Sequence, residues 1–129
     1  MRDETQQWLV FADENLKSAK LLHANQLFNP CLQNIQQSVE KALKSILIEK
    51  SLRLRRTHSI SELRNILFDN GVDLDLKEEE CELLDSIYLP SKDPLGAALP
   101  SFAPDENICR SGIAIAEKIY INVKVLLEK

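Results

Sequence analysis

Apolar residues recur at helical spacing along almost the whole chain, and strand-type alternation is scarce. Five helices follow from that pattern. The first covers residues 4–26, with Trp8, Phe11, Ala12, Ala19 and Leu22 on its inner side. Asn29-Pro30 reads as the start of the second. Asn suits an N-cap, and Pro is tolerated at the first helical position because its missing N–H has no partner there. This helix runs to residue 50, with a stripe of Ile35, Val39, Ala42 and Ile46 widened by Leu32, Leu43 and Leu47.

Ser59-Ile60-Ser61-Glu62 has the form of a capping box. It opens a short third helix through Leu63, Ile66 and Leu67, which stops at Asn70-Gly71. A further cap at Asp75-Leu76-Lys77-Glu78 begins a fourth helix reaching residue 88, with Leu76, Leu83, Leu84 and Ile87 inward. Glu78, Glu79 and Glu80 complement the dipole in its first turn. Residues 89–103 hold Pro90, Pro94, Gly96 and Pro100 and read as one long irregular segment, the kind that is often functional or mobile. Pro104-Asp105-Glu106 opens the last helix, which reaches residue 129. Its stripe is Ile108, Ile115, Ile119, Val123 and Leu126, with a second apolar edge of Ile113, Ala116, Tyr120 and Leu127. One core face needs less than this, so part of the helix is expected to bury against a second subunit. The whole predicts an all-α protein: an antiparallel up-and-down bundle of four or five helices in a single domain, residues 1–129.

Composition agrees with a globular chain. Its 129 residues, 44% hydrophobic and 28% charged, can bury a core without staples. The net charge of -4 offers no overall positive field for nucleic acid, which confines any such contact to a local patch. A local patch exists, because charge is segregated. Residues 41–64 carry seven Lys and Arg against two acidic residues; residues 69–93 carry nine Asp and Glu against two Lys. Cys31, Cys81 and Cys109 are odd in number and lack CxxC spacing. They are expected to be reduced packing residues, with no disulfide framework, no zinc site and no cofactor. No apolar run is long enough to cross a bilayer, and no leader precedes Trp8, so a cytoplasmic location is expected, with no membrane partner.

The polar residues of the second helix, Gln36, Gln37, Glu40, Lys41 and Lys44, form the first candidate cluster. Helical geometry puts Gln37, Glu40 and Lys44, with Gln33, opposite Ile35, and puts Gln36 inside the apolar arc. Left unsatisfied there, Gln36 would cost about 1–3 kcal/mol. It is therefore either a satisfied inter-helix bridge or the polar wall of a cleft. The second cluster is the basic turn of Arg53, Arg55, Arg56 and His58 at the start of the third helix, with Lys92 from the long segment. Backbone N–H groups and Arg forks both suit an anion, so a nucleotide or RNA phosphate is the candidate ligand; a turn that is simply solvated is the alternative. His58 can fix the helix start through the backbone, or move a proton while an Arg stabilises phosphate charge. His23 reads as a surface or packing residue.

Together these residues resemble the HEPN family (higher eukaryotes and prokaryotes nucleotide-binding domain). The likeness spans nearly the whole chain: Trp8, Ala12 and Ala19 in the first helix, Gln36-Gln37 and Glu40-Lys41-Ala42-Leu43-Lys44 in the second, Thr57-His58 and Leu63 in the third, and Tyr88-Leu89-Pro90 before the last. It implies an antiparallel HEPN-like bundle, commonly a homodimer, and a prokaryotic nucleotidyltransferase partner, often in a toxin–antitoxin pair. Many HEPN proteins are metal-independent ribonucleases with an Arg-x(4–6)-His motif at the start of the last long helix. Here the chain departs from the family. Arg110 is the only Arg in that helix and no His follows it. Arg53 to His58 matches by letter but lies before the third helix, and the run from Arg64 ends in Asp69. The expected function is a non-catalytic nucleotide- or RNA-binding or partner-binding module, whose acidic 78–85 face meets a basic partner or a second subunit's basic patch. The alternatives are a ribonuclease using Arg53 and His58, and a pure interaction subunit that neutralises or supports a nucleotidyltransferase.

Overall fold

In the computed structural model the described residues are 1–53, 56–92 and 104–129, with side chains throughout except at 88–92. Five helices appear among them: α1 Asp3–Ala24, α2 Phe28–Glu49, α3 Ile60–Asp69, α4 Glu78–Lys92 and α5 Glu106–Leu127. The protein is all-helical, as its periodicity predicts. α2 is the axis, in contact with each of the other four helices. Leu32, Ile35, Val39, Ala42, Leu43, Ile46 and Leu47 along it are buried.

Contacts at the helix ends give the directions. Arg2, just before α1, donates to the Ile48 carbonyl (3.1 Å), to the Glu49 carboxylate through its backbone N–H (3.0 Å), and to Ser51 Oγ. The start of α1 therefore meets the end of α2, and the two are antiparallel. Cys109 Sγ donates to the Phe28 carbonyl at 3.6 Å, so the starts of α2 and α5 lie together and these helices run in the same direction. Gly112 lets them approach. A Cβ there would lie 2.9 Å from Ile35 Cδ1.

Three helices end in the same way. The residue after the C-cap takes a left-handed conformation at Gln26 (φ 59°), Ser51 (φ 57°) and Gly71 (φ 81°). The next amide then reaches back: Leu27 to Leu22, Leu52 to Leu47 and Val72 to Leu67, all at 2.8–2.9 Å. These are Schellman closures, which satisfy carbonyls the helix leaves over.

The structure differs from the sequence reading at several points, among them the start of α4, a helix that begins at Glu78 and is not capped by Asp75. Phe11 is half exposed, because the inner stripe of α1 is Thr5, Leu9, Ala12, Leu16 and Ala19; Trp8 is half-buried. The Phe11 ring instead receives Lys41 Nζ at 5.7 Å. α2 begins at Phe28, with Leu27 rather than Asn29 at the cap, so Pro30 sits one turn in, where it still lacks no intrahelical bond. α4 continues past residue 88 to Lys92, through Pro90. The remainder of the proline-rich segment, 93–103, lies outside the described residues. α5 keeps Cys109, Ile115, Ala116, Ile119 and Val123 buried but leaves Ile121 and Val125 58% and 53% exposed.

Of the three left-handed residues that close helices, only Gly71 is a glycine. A Cβ at Gly71 would meet no neighbour, so Gly71→Ala is predicted to cost about 1 kcal/mol from backbone conformation alone, and Gln26→Gly to gain up to about 1 kcal/mol. Denaturant unfolding of both variants measures this, and equal midpoints would refute it.

Candidate functional site

The polar residues of α2 divide into two groups that face different neighbours. Gln37 and Lys41 turn toward α1. Lys41 Nζ donates to Asn15 Oδ1 at 2.8 Å, and Asn15 Nδ2 donates to Asn34 Oδ1 at 2.9 Å and lies 3.5 Å from Gln37 Oε1. Gln36, Glu40 and Lys44 face the segment that leads into α3. Helical spacing alone puts Glu40 and Lys44 opposite the core stripe. They are nevertheless only 7% and 6% exposed, with His58 closing on Glu40.

Glu40 is the centre of this second group. Its Oε1 accepts from Gln36 Nε2 (3.2 Å) and pairs with His58 Nδ1 (2.9 Å); its Oε2 accepts from Lys44 Nζ (3.0 Å). Burial pushes the Glu40 carboxyl up, but the hydrogen bonds from Lys44 and His58, the Lys44 charge and Gln36 outweigh it and hold the group below the usual carboxylate range. An ionised Glu40 can only accept, so the hydrogen between it and His58 belongs to Nδ1. Gln36 is wholly buried and also donates from Nε2 to the His58 carbonyl at 3.0 Å. It is thus an inter-helix bridge, one of its two readings from the sequence. The His58 side chain is 55% exposed, so a buried anion grips a surface imidazole by one nitrogen.

The start of α3 holds a second anion already. Asp85, on α4, accepts from the backbone of Ile60 (2.6 Å) and Ser61 (3.2 Å) and from the hydroxyls of Ser61 (2.7 Å) and Ser59 (3.2 Å). Ser59 Oγ caps the Glu62 N–H at 3.2 Å, one half of the expected capping box; the Ser59 N–H, which the Glu62 side chain would take in the other half, donates to Thr57 Oγ1 at 3.1 Å. Every N–H from Ser59 to Glu62 therefore has an internal acceptor. The helix terminus is spent on Asp85, and a phosphate at this turn would have to rely on side chains. Arg53 and Arg56 are exposed and supply them. Arg55 lies outside the described residues, as does the Lys92 side chain.

His23 packs on Phe28, with ring centroids 6.3 Å apart, and its Nε2 lies 3.9 Å from Glu106. Cys31, Cys81 and Cys109 are buried free thiols; burial pushes Cys81 up to about 11 and Cys109 up to about 12, where neither is a nucleophile at neutral pH. Among the described residues no group of three or more His, Cys, Asp or Glu is placed to hold a metal ion, and no helix is long and apolar enough to cross a membrane. The remaining acidic face of α4 loses Asp85 to α3 and Glu80 to Lys118 (2.7 Å), leaving Glu78, Glu79 and Glu82 exposed.

The family model for the HEPN domain matches residues 5–126. The chain belongs to the HEPN family. Among solved structures it is similar to TT1696 from Thermus thermophilus, with 26% identity over 95% of this chain and 98% of that one and a TM-score of 0.78. It shares its fold with an archaeal HEPN homologue at 22% identity and a TM-score of 0.62, each chain covered to 98%. No curated protein matches it. In this HEPN chain α5 carries Arg110, whose guanidinium pairs with Glu106 one turn back, and no histidine.

The Glu40 cluster has a pH signature. Its folded carboxyl titrates below its ordinary value of 4.5, so the pairing contributes stability that is fully present above pH 4.5 and lost as pH falls through the folded value. Acid titration of the folding free energy is predicted to be shallower in Glu40→Gln than in the native protein. Glu49 and Glu80, also held low, keep part of the slope. Superimposable profiles would show that Glu40 is not held low by its partners.

Proposed function

We propose that this HEPN domain is a non-catalytic module that binds a nucleotide or an RNA phosphate at the basic turn. The observation that carries the reading is the exposure of Arg53 and Arg56 just before the α3 entrance, where Gln36 and Glu40 hold His58 and Asp85 holds Ile60. Arginine forks suit phosphate. Arg55 and Lys92 belong to the same proposed patch. The lack of an Arg/His pair on α5 supports binding without cleavage. As part of the same reading, the protein acts as a homodimer with a minimal nucleotidyltransferase, in a toxin–antitoxin-type pair; the exposed Ile121 and Val125 are consistent with a covered face.

Calorimetric titration with short single-stranded RNA at low salt tests the binding. Binding is expected, with a joint Arg53→Ala, Arg56→Ala variant weakened about tenfold or more and its salt dependence reduced. Native and variant proteins that bind alike, or not at all, would remove the nucleotide reading. Light scattering at micromolar concentration should give the dimer mass, and a monomer would remove that part alone.

One observation favours a second reading. A buried carboxylate orienting an exposed imidazole by Nδ1 is the arrangement of a general acid–base pair. It supports a metal-independent ribonuclease with His58 moving the proton and Arg53 stabilising the phosphate. RNA cleavage abolished by His58→Ala would establish it. Cleavage that survives the substitution, or no cleavage by the native protein, would leave only binding.

A further inference from the structure

The last turns of α5 carry an uncovered apolar edge beside an open groove. Ile121 and Val125 lie one turn apart on one side of the helix, and each is more than half exposed. Val125 also lines a cavity of about 230 Å³ between α5 and the link from α3 to α4, together with Asp73, Leu74, Asn122, Leu126 and Lys129. The backbone around the cavity is fixed. Asn122 Nδ2 donates to the Leu74 carbonyl at 2.9 Å, the Val72 N–H returns to the Leu67 carbonyl at 2.9 Å, and Asp73 Oδ1 accepts from the Asp75 N–H at 3.0 Å. Beyond Asp73 and Leu74, Phe68 extends the surface with a third large apolar side chain, also more than half exposed. Single exposed apolar residues need no explanation, but a ridge beside a hollow on one surface does.

The charges of this surface say what covers it. Asp73 and Lys129 line the same cavity and are both exposed, so its rim carries both signs. A partner of one sign gains at one end and loses at the other. A second copy of the chain offers each charge its opposite, because in a two-fold contact a residue that touches a different residue is touched by its counterpart in return. The apolar parts match in the same way, since every copy brings a ridge and a hollow. We infer that this face joins two copies of the chain. Ile121 and Val125 of one copy pack over Leu74 and Leu126 of the other, and Asp73 of each pairs with the partner subunit's Lys129 at the rim. The inference rests on the homodimer part of the reading above and names its surface. The apolar centre supplies the affinity and the charged rim the register.

Sedimentation velocity across micromolar concentrations tests it on the native chain and four variants. The native protein is expected to be a dimer. The joint Ile121→Asp, Val125→Asp variant should be a monomer at the same concentrations with its helical circular dichroism unchanged, since both side chains are exposed within one copy. Lys129→Glu and Asp73→Lys should each raise the dissociation constant about tenfold, and the two together should bring it back near the native value. A native dimer that the joint aspartate variant leaves intact overturns this surface while the homodimer reading stands. A charge swap that restores nothing overturns the two-fold pairing. If the aspartate variant does not fold, the charge series decides alone, because it changes only exposed side chains. A native monomer overturns the surface and the homodimer reading together.

Discussion

A carboxylate buried on the central helix of a bundle must be neutralised, and in this protein the groups that neutralise Glu40 come from places that would otherwise have little to do with each other. Lys44 is one turn along the same helix; Gln36 is one turn back; His58 arrives from eighteen residues away, at the entrance to α3. Burying a charge without partners costs several kcal/mol. The arrangement in which all three partners are present is therefore far more stable than one in which the turn swings away. That one requirement places His58 and the entrance to α3.

Two further anions finish the task. Asp85 ties the first turn of α3 to α4, and Glu49 collects the backbone N–H of Arg2 and the Thr5 hydroxyl where the end of α2 leads toward the turn. Two carboxylates, Glu40 at His58 and Asp85 at Ile60, thus hold the entrance to α3, while Glu49 ties the start of α1 to the end of α2. The core beneath is ordinary helix packing, with Gly112 letting α5 approach Ile35 closely enough to close the bundle.

How much of this is legible in the sequence follows from the range of each interaction. Helices, their caps at Ser59 and Asp105 and the buried cysteines are local or periodic, and the sequence shows them. Phe11 misleads because it is apolar and lies within the helical repeat, but the stripe of Thr5, Leu9, Ala12, Leu16 and Ala19 is set by which face α2 covers. Glu40 and Lys44 look solvent-facing for the same reason: helical angles say where a side chain points, not what comes down on top of it. The basic turn is visible as a run of letters. Its support is not, since the Glu40–His58 and Asp85–Ile60 contacts join residues 18 and 25 apart.

The division of labour inside the helix-2 signature also narrows its meaning. Gln37 and Lys41 stitch α1 to α2 and serve the fold, while Gln36, Glu40 and Lys44 reach the site. The account stands or falls on Glu40 holding His58. A double-mutant cycle of folding free energies for Glu40→Gln and His58→Gln measures that directly. The account predicts a coupling of about 1 kcal/mol or more; free energies that simply add would contradict it.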